Sequence, residues 1–108
     1  MKQYSYKNAY GETYSLRLQK AEYSNNGNLA VESLYHDEDF DAWLPYAMVT
    51  VNLNEELPQG FAYVDANNFR DVVAFLEDNG IAKWTGRCRV SGFCQYPLVK
   101  FNEDAFKE

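Results

Sequence analysis

The sequence has few of the residues on which catalytic and metal sites usually depend. Its 108 residues include one histidine, His36, and two cysteines, Cys88 and Cys94. A closed zinc site needs about four ligands, which this set does not supply. Two cysteines are also too few for a disulfide framework, and a reducing compartment keeps them as thiols. The sequence therefore implies neither a metal nor another cofactor.

Long apolar runs are missing as well. No segment approaches the roughly 20 apolar residues that cross a bilayer. Residues 1–10 alternate polar and aromatic side chains and lack the apolar stretch of a signal peptide. We therefore expect a cytoplasmic protein without a membrane-spanning segment.

Basic residues are scarce overall but concentrated in one place. Ten Lys and Arg stand against sixteen Asp and Glu, a net charge of −6 that argues against general nucleic-acid binding. Between Asn79 and Asn102, however, the chain carries four basic residues and no acid. The rest then holds six basic and all sixteen acidic residues, a balance of −10. This asymmetry is more informative than the total.

Apolar and aromatic residues, in contrast, are abundant enough for a core. Hydrophobic residues make up 46% of the chain and aromatics 17%, with nine Tyr and seven Phe. Flat rings pack well on half-buried strands, and a chain of this length suits one core. We predict one domain, residues 1–108, of the α+β class, with a curved antiparallel sheet of about five to seven strands and one main helix packed on it.

Alternation of polar and apolar residues marks the strands. The expected strands are residues 3–9, 13–23, 29–35, 46–53, 61–64, 84–90 and 93–101. Turns are predicted at residues 10–12, 24–28 and 91–92, and an acidic loop at 36–41. Pro45 restricts where the fourth strand begins. Residues 102–108 are expected to form a frayed tail or a short helical turn.

One segment has helical periodicity, with its apolar side chains on one stripe: Phe69, Val72, Val73 and Leu76. This stripe predicts a helix from about Asn68 to Asn79. Asn67 or Asn68 is expected to cap its start, and Gly80 to follow its end. Residues 65–68 faintly resemble a calcium loop but lack the Gly and Glu that an EF-hand requires.

Several spaced blocks give the chain a resemblance to a known family: Asn25–Val31, Val49–Leu53, Tyr63–Asn68, Gly86 and Ser91–Leu98. Their order resembles a domain-of-unknown-function family, number 4313, found on bacterial conjugative elements and phages. The resemblance covers roughly residues 10–101. It implies a cytoplasmic bacterial protein carried on a mobile element, and it offers no catalytic residues.

Catalytic use of His36 would require a nucleophile beside it. Asp37 is placed to orient the ring, and Cys94 or Ser91 is the nucleophile to consider. Neither lies in a nucleophile elbow or at a helix start. A surface histidine near carboxylates is therefore the favoured interpretation.

The relative placement of the two cysteines depends on the length of the hairpin loop between them. A three-residue loop at 90–92 would place Cys88 opposite Cys94, whereas a two-residue loop at 91–92 would place them on opposite faces. We favour small buried thiols over a disulfide.

The C-terminal hairpin is the strongest binding candidate, because aromatic and basic residues interleave along it: Lys83, Trp84, Arg87, Arg89, Phe93, Tyr96, Lys100 and Phe101. This combination suits stacking on bases, or holding an anionic ligand or an acidic protein. The alternative is a half-buried hairpin with its rings in the core and its charges in water. The binding residues we select are Trp84, Arg87, Arg89 and Tyr96. The two arginines are expected to project from one face.

A second candidate is the acidic stretch Asp37–Asp41, because Phe40 and the nearby Trp43 suit an interface. The leading functional hypothesis is a non-enzymatic interaction module of a bacterial mobile element, in one version an accessory or counter-defence protein. Its partner would be a host or mobile-element protein. The alternative is a small ligand-binding domain or a small enzyme that uses the C-terminal hairpin and His36.

Overall fold

The computed structural model describes residues 2–107 and arranges their strands in two four-stranded antiparallel sheets. The strands are β1 (Tyr4–Lys7), β2 (Thr13–Glu22), β3 (Leu29–Asp37), β4 (Ala42–Met48), β5 (Thr50–Val51), β6 (Phe61–Val64), β7 (Ala82–Ser91) and β8 (Cys94–Phe101). Within the described span there are one α-helix, α1 (Val72–Asp78), and one short 3-10 helix, η1 (Glu103–Phe106). The α+β class is confirmed. The strands, however, form two sheets instead of a single one of five to seven strands.

The first sheet has the order β1-β2-β3-β4, so each strand pairs with its neighbour in sequence. Strict alternation in β2 and β3 turns one set of side chains inward. Leu16, Leu18, Val31 and Ser33 are all buried on that face. The buried Ser33 hydroxyl donates to the Ala47 carbonyl at 2.7 Å and accepts from the Ala47 N–H at 3.1 Å. This polar group therefore stays hydrogen-bonded inside the core, as burial requires.

The second sheet has the order β5-β6-β8-β7. The chain leaves β6, forms α1 and β7, and returns through β8, which inserts between β6 and β7. Ala62, Val64, Val99 and Phe101 form its buried face.

The two sheets are linked at Val49, a single residue between β4 and β5. Its N–H donates to the Val31 carbonyl at 2.9 Å, and its carbonyl accepts from the Asp65 N–H at 2.9 Å. The Thr50 hydroxyl accepts from the Val31 N–H at 3.0 Å and lies 3.0 Å from the Tyr23 hydroxyl. The strand predicted over residues 46–53 is therefore divided at this link and ends at Val51.

Helix α1 packs against the inner face but begins later than the periodicity predicts. Asp71 has a left-handed backbone with φ of 55°, so the helical path starts only at Val72. Phe75 and Leu76 are buried beside Val72, whereas Val73 is only partly covered. The ring of Phe75 stacks on Phe69 with 5.6 Å between centroids.

The predicted asparagine caps are wrong, because the N-cap position is Asp71 and has no side-chain cap, and Asp65 organises only the turn that precedes the helix. The Asp65 carboxylate accepts the backbone N–H groups of Asn67 at 3.3 Å and Asn68 at 3.2 Å. At the other end, Gly80 follows the helix with φ of 68°, as predicted, and the next residue, Ile81, is fully buried.

The predicted acidic loop at residues 36–41 is shorter than expected. β3 continues to Asp37, and β4 begins at Ala42, so only a tight turn separates them. Pro45 lies inside β4, where the pairing register with β3 shifts between Ser33 and Leu34. A bulge tolerates a residue without an N–H, which explains why this proline does not delay the strand.

Candidate functional site

The last hairpin extends beyond the core as an arm, which we define as residues 84–97 of β7 and β8. Val99 and Phe101, at its base, are buried, but Val90 is 63% and Phe93 109% exposed. Six large apolar side chains are exposed among the described residues, and three of them lie on this arm. Large exposed apolar patches on soluble proteins mark interaction sites, which makes the arm a candidate contact surface.

The tip of the arm is a two-residue turn, Gly92-Phe93, because Ser91 pairs with Cys94. The prediction placed the turn one residue earlier, at 91–92, and began the last strand at Phe93. Gly92 has φ of 63°, at the position that type II′ hairpin turns reserve for glycine. Phe93 is therefore held in the turn itself, where no neighbouring strand covers it.

The cysteines do not face each other in this register. Cys88 pairs with Pro97 and Cys94 with Ser91, and both thiols are free. Cys88 is exposed and Cys94 half-buried, so the expectation of two buried thiols is wrong for Cys88. The middle of β7 is exposed to solvent, so the small apolar side chain of Cys88 is not covered there.

A bulge separates the arm from the base of the hairpin. Trp84 pairs with Val99 and Cys88 with Pro97, so three residues of β7 lie opposite Leu98. Gly86 at the middle of the bulge has φ of 88°. The Trp84 indole N–H donates to the Arg87 carbonyl at 2.9 Å, which ties the ring to the bulge. Bulges of this kind re-aim side chains at functional edges.

The register divides the four predicted binding residues between the two faces of the sheet. Paired residues share a face, so Trp84 lies on the side of the buried Val99. Arg89 pairs with Tyr96 on the opposite, outward side. Arg87 lies in the bulge and is exposed. The structure thus brings Arg89 and Tyr96 together, but it does not gather all four on one patch.

Arg89 is engaged within the protein. Its guanidinium contacts the Glu55 carboxylate at 2.7 Å, and the same carboxylate accepts from the Tyr63 hydroxyl at 3.1 Å. Partial desolvation and the neighbouring Cys94 thiol raise the pKa of the Tyr96 hydroxyl. The Tyr96 hydroxyl therefore keeps its proton to a higher pH than an ordinary tyrosine.

The loop that contains Glu55 is held in place by hydrogen bonds of asparagine side chains. The Asn28 side chain donates to the Glu55 carbonyl at 2.6 Å and accepts from the Leu57 N–H at 3.0 Å. Asn26 donates to Asn52 at 3.1 Å, and Asn52 donates to Asn25 at 2.8 Å. Two blocks of the family pattern, residues 25–31 and 49–53, are thus in contact for a structural reason.

His36 belongs to the first sheet and is exposed. Its Nε2 lies 3.1 Å from the Asp41 carboxylate, and its ring centroid is 5.3 Å from that of Trp43. The predicted orienting residue, Asp37, instead accepts the N–H groups of Asp39 and Phe40 within the turn. The guanidinium of Arg17 covers Trp43 at 3.9 Å from the ring centroid. His36 is thus part of a surface stack on β3 and β4, whereas Ser91 and Cys94 lie at the far end of the arm in the second sheet.

The acidic turn presents one free aromatic side chain. Phe40 is 77% exposed, and Asp41 has φ of 47°. Trp43, expected to join Phe40 in an interface, is half-buried beneath Arg17.

A cleft at the base of the hairpin was not selected from the sequence. It is an open groove with a volume of about 690 Å³, and it is lined by Glu77, Gly80, Ala82, Lys83, Lys100, Phe101, Asn102 and Glu103. Lys83 and Lys100 are directly paired across β7 and β8. Only the pairing register shows that these lysines, 17 positions apart in the sequence, are neighbours.

Within residues 2–107, no three His, Cys, Asp or Glu side chains form a group able to hold a metal ion. Nor does any described helix have the length and apolarity to span a membrane.

The fold and the arm define a small α+β protein with two linked sheets and a protruding hairpin. The chain belongs to the family described as a domain of unknown function (DUF4313), whose model matches residues 16–108. The match begins in β2 and takes in the asparagine-fastened loop, the helix and the whole arm. The chain matches no curated protein and no solved structure.

Proposed function

We propose that this chain is a non-enzymatic binding module whose hairpin arm contacts a partner protein. The observation that carries the proposal is the exposure of Val90 and Phe93, at 63% and 109%, on a paired two-stranded element. Aromatic side chains dominate the energetics of protein interfaces because a flat ring buries much area with little loss of entropy. An arm held by a bulge and a tight turn presents such an anchor already ordered.

The distribution of charge along the chain supports the proposal that the partner has an acidic surface. The segment from Asn79 to Asn102 carries four basic residues and no acid, although the whole chain is acidic. Arg87 is exposed in the bulge and has no carboxylate within ion-pair distance among the described residues. Complementary charge steers encounter and selects among partners.

The biological setting is also part of the proposal. The family resemblance supports a cytoplasmic setting on a bacterial mobile element, and the accessory or counter-defence role is proposed from the charge of the chain and from that setting. The partner would then be a host protein or another protein of the element. General nucleic-acid binding is not proposed, because the net charge of −6 opposes it.

Affinity capture from host lysate tests the arm directly. The immobilised protein is compared with Val90→Ser/Phe93→Ser and with a matched control, Tyr10→Ser, which removes an 89% exposed ring from the turn between β1 and β2. We expect one acidic protein to be retained by the wild type and the control. Its retention should fall by about tenfold or more in the arm variant, since a buried aromatic anchor is worth at least about 2 kcal/mol.

Two results would overturn the proposal. The first is retention by the arm variant together with loss in Asp39→Asn/Phe40→Ser, which would assign the contact to the acidic turn. The second is co-purification of a small molecule with no protein retained, which would make the domain a ligand-binding one.

A further inference from the structure

The strands at the sheet edges differ in how well they are protected from pairing with another chain. β1 and β5 have only four and two residues, and β4 contains Pro45 and a shift in its pairing register. Short length, proline and bulges are the usual devices that keep edge strands from pairing. β7 is also an edge strand, but it has ten residues and no proline.

The pairing register shows which backbone groups of β7 face away from the sheet. Ser91 and Cys94 close the two-residue turn, where the closing residues form a hydrogen-bonded pair. Hydrogen-bonded and non-hydrogen-bonded pairs alternate along an antiparallel ladder, so Cys88 and Val90 direct their N–H and C=O groups away from β8. Pro97, which has no N–H, lies opposite Cys88 and agrees with this alternation.

The same edge is closed nearer the core. The Trp84 N–H, which also faces away from β8, donates to the Glu77 carboxylate at 3.0 Å. In the bulge, the Arg87 N–H donates to the Thr85 hydroxyl at 3.2 Å, and the Arg87 carbonyl accepts from the Trp84 indole at 2.9 Å. A strand added from outside therefore cannot extend along the base of β7 without breaking these bonds.

Beyond the bulge the edge is open. Within residues 2–107, the outward groups of Cys88 and Val90 make no backbone hydrogen bond to a turn or to another element. On the opposite edge of the arm, Gln95 is followed two residues later by Pro97, which interrupts the row of donors. The arm thus has one edge able to pair and one edge that a proline blocks. Unpaired N–H and C=O groups on an edge are a template for a strand of another chain.

The side chains beside the open edge indicate what kind of strand fits. Val90 and Cys88 are exposed and share the apolar face on which Trp84 is 42% exposed. Arg89 lies on the other face, and Arg87 is exposed in the bulge. No acidic residue occurs between residues 79 and 102. A strand with apolar side chains on one face and acidic side chains on the other complements this edge.

A second copy of the chain fits less well. If the Cys88 and Val90 groups of one copy paired with those of another, the two Arg89 side chains would lie directly opposite each other, which destabilises a sheet. We propose that an extended acidic segment of a partner protein adds to β7 as a further strand, along Cys88 and Val90. This inference rests on the proposed function, because it specifies how the arm would contact its partner.

The experiment uses the full chain and a synthetic extended probe, acetyl-(Glu-Val)4-amide. One matched peptide has lysine in place of each glutamate. Another has every valine N-methylated, which removes the donors that would face β7 when the valines lie on the face of Val90. Amide shifts are followed by NMR up to about 10 mM peptide, a range that captures millimolar affinity. We expect saturable shifts at Cys88 and Val90 and about tenfold or more weaker binding of both matched peptides.

Hydrogen exchange separates strand addition from a contact of side chains alone. In the free chain the Cys88 and Val90 amides should exchange quickly, whereas the Arg89 and Ser91 amides bond to β8 and should be protected. With the acidic peptide at ten times its Kd, exchange at Cys88 and Val90 should slow by about tenfold. Unchanged exchange at both amides would show that no strand has been added.

A proline variant assigns the effect to this edge. Val90→Pro keeps an apolar side chain of similar size but removes the outward N–H, and it should weaken peptide binding by about tenfold. Gln95→Pro makes the same change on the opposite edge of the arm and should leave binding unchanged. The unbound spectra show whether both variants are folded. The N-methylated peptide and the exchange rates carry the test if Val90→Pro is not.

Four outcomes would overturn the inference: no saturable shifts at Cys88 and Val90, equal binding of either matched peptide, unchanged binding in folded Val90→Pro, or self-association that Val90→Pro abolishes. The last would assign the edge to a second copy. Retention of a lysate protein by Val90→Pro, with its loss in Val90→Ser/Phe93→Ser, would also refute strand addition. The proposed contact of the arm would then still stand, so the two failures are distinguishable.

Discussion

Gly60 and Gly86 have the same left-handed backbone but different surroundings. Their φ values are 87° and 88°, which any residue with a Cβ adopts at a cost of about 1–2 kcal/mol. An added Cβ at Gly86 meets nothing within 4 Å, whereas at Gly60 it meets the stem of Lys100 at 3.2 Å. The two positions therefore separate backbone strain from steric crowding.

We expect Gly86→Ala to lower the free energy of unfolding by about 1–2 kcal/mol and Gly60→Ala to lower it by more. Urea denaturation of the two variants and the wild type measures the difference. In the double variant Gly60→Ala/Lys100→Ala the extra cost should partly disappear, because the crowded stem is gone. Equal losses in the two single variants would show that Lys100 moves aside freely.

At the scale of elements, the loop between β5 and β6 depends on one buried side chain. Asn28 is 8% exposed and bonds to Glu55 and Leu57 through both ends of its amide. Replacing it by alanine removes two hydrogen bonds and leaves loop backbone groups without partners. The same loop holds Glu55 against Arg89 of β7 and Tyr63 of β6, so its position affects the outward face of the second sheet.

Asn28→Ala should destabilise the protein by about 2–3 kcal/mol, because each unsatisfied buried group costs about 1–3 kcal/mol. It should also accelerate hydrogen exchange at Leu57. Asn67→Ala is the matched control, since Asn67 is exposed and bonds through its backbone N–H. A loss below about 0.5 kcal/mol in Asn28→Ala would contradict the role assigned to this residue.

Prediction from the sequence succeeded for elements with clean periodicity. The alternation of β2 and β3 and the turns beside them gave strands close to those observed. β4 was missed over Ala42–Pro45, because an acidic run and a proline both argue against a strand unless a bulge accommodates them. The helix was placed too early, since the stripe does not reveal the left-handed Asp71.

The candidate site was predicted only in part. Its location on the C-terminal hairpin follows from the composition of that segment, which can be read directly from the sequence. The division of Trp84 from Arg89 and Tyr96 follows from strand alternation, because the two extra residues of the bulge and the one-position shift of a two-residue turn both leave the faces unchanged. The sequence does not reveal the bulge itself, which takes Arg87 out of the regular pairing that Arg89 keeps.

For the whole molecule, three tyrosines with desolvated hydroxyls, Tyr6, Tyr46 and Tyr63, contribute to the behaviour at alkaline pH. Desolvation raises the pKa of the Tyr6 hydroxyl above its ordinary value of 10.0, and burial does the same for Tyr46 and Tyr63. The folded state therefore keeps these protons to higher pH than the unfolded state. Their contribution to stability is complete below pH 10.0 and is lost as the pH rises through the folded-state pKa values.

We expect the free energy of unfolding to fall above about pH 10, which denaturant titrations from about pH 8 to pH 11 would measure. Tyr6→Phe should lose about 1 kcal/mol at neutral pH, because the hydroxyl donates to the Arg70 carbonyl at 2.9 Å. Its decline at high pH should be shallower than that of the wild type. Tyr10→Phe, with an 89% exposed ring, serves as the control and should follow the wild type. Parallel curves for all three proteins would falsify this account.

The sequence by itself determined the class of the fold, most strand positions, the capped end of the helix and the asymmetry of charge. These features are local, because alternation, turn chemistry and composition act over a few neighbouring residues. The tertiary structure decided the division into two sheets at Val49, the outward placement of Phe93 and the pairing of Lys83 with Lys100. These depend on register and on contacts between distant segments, which periodicity in one strand does not specify.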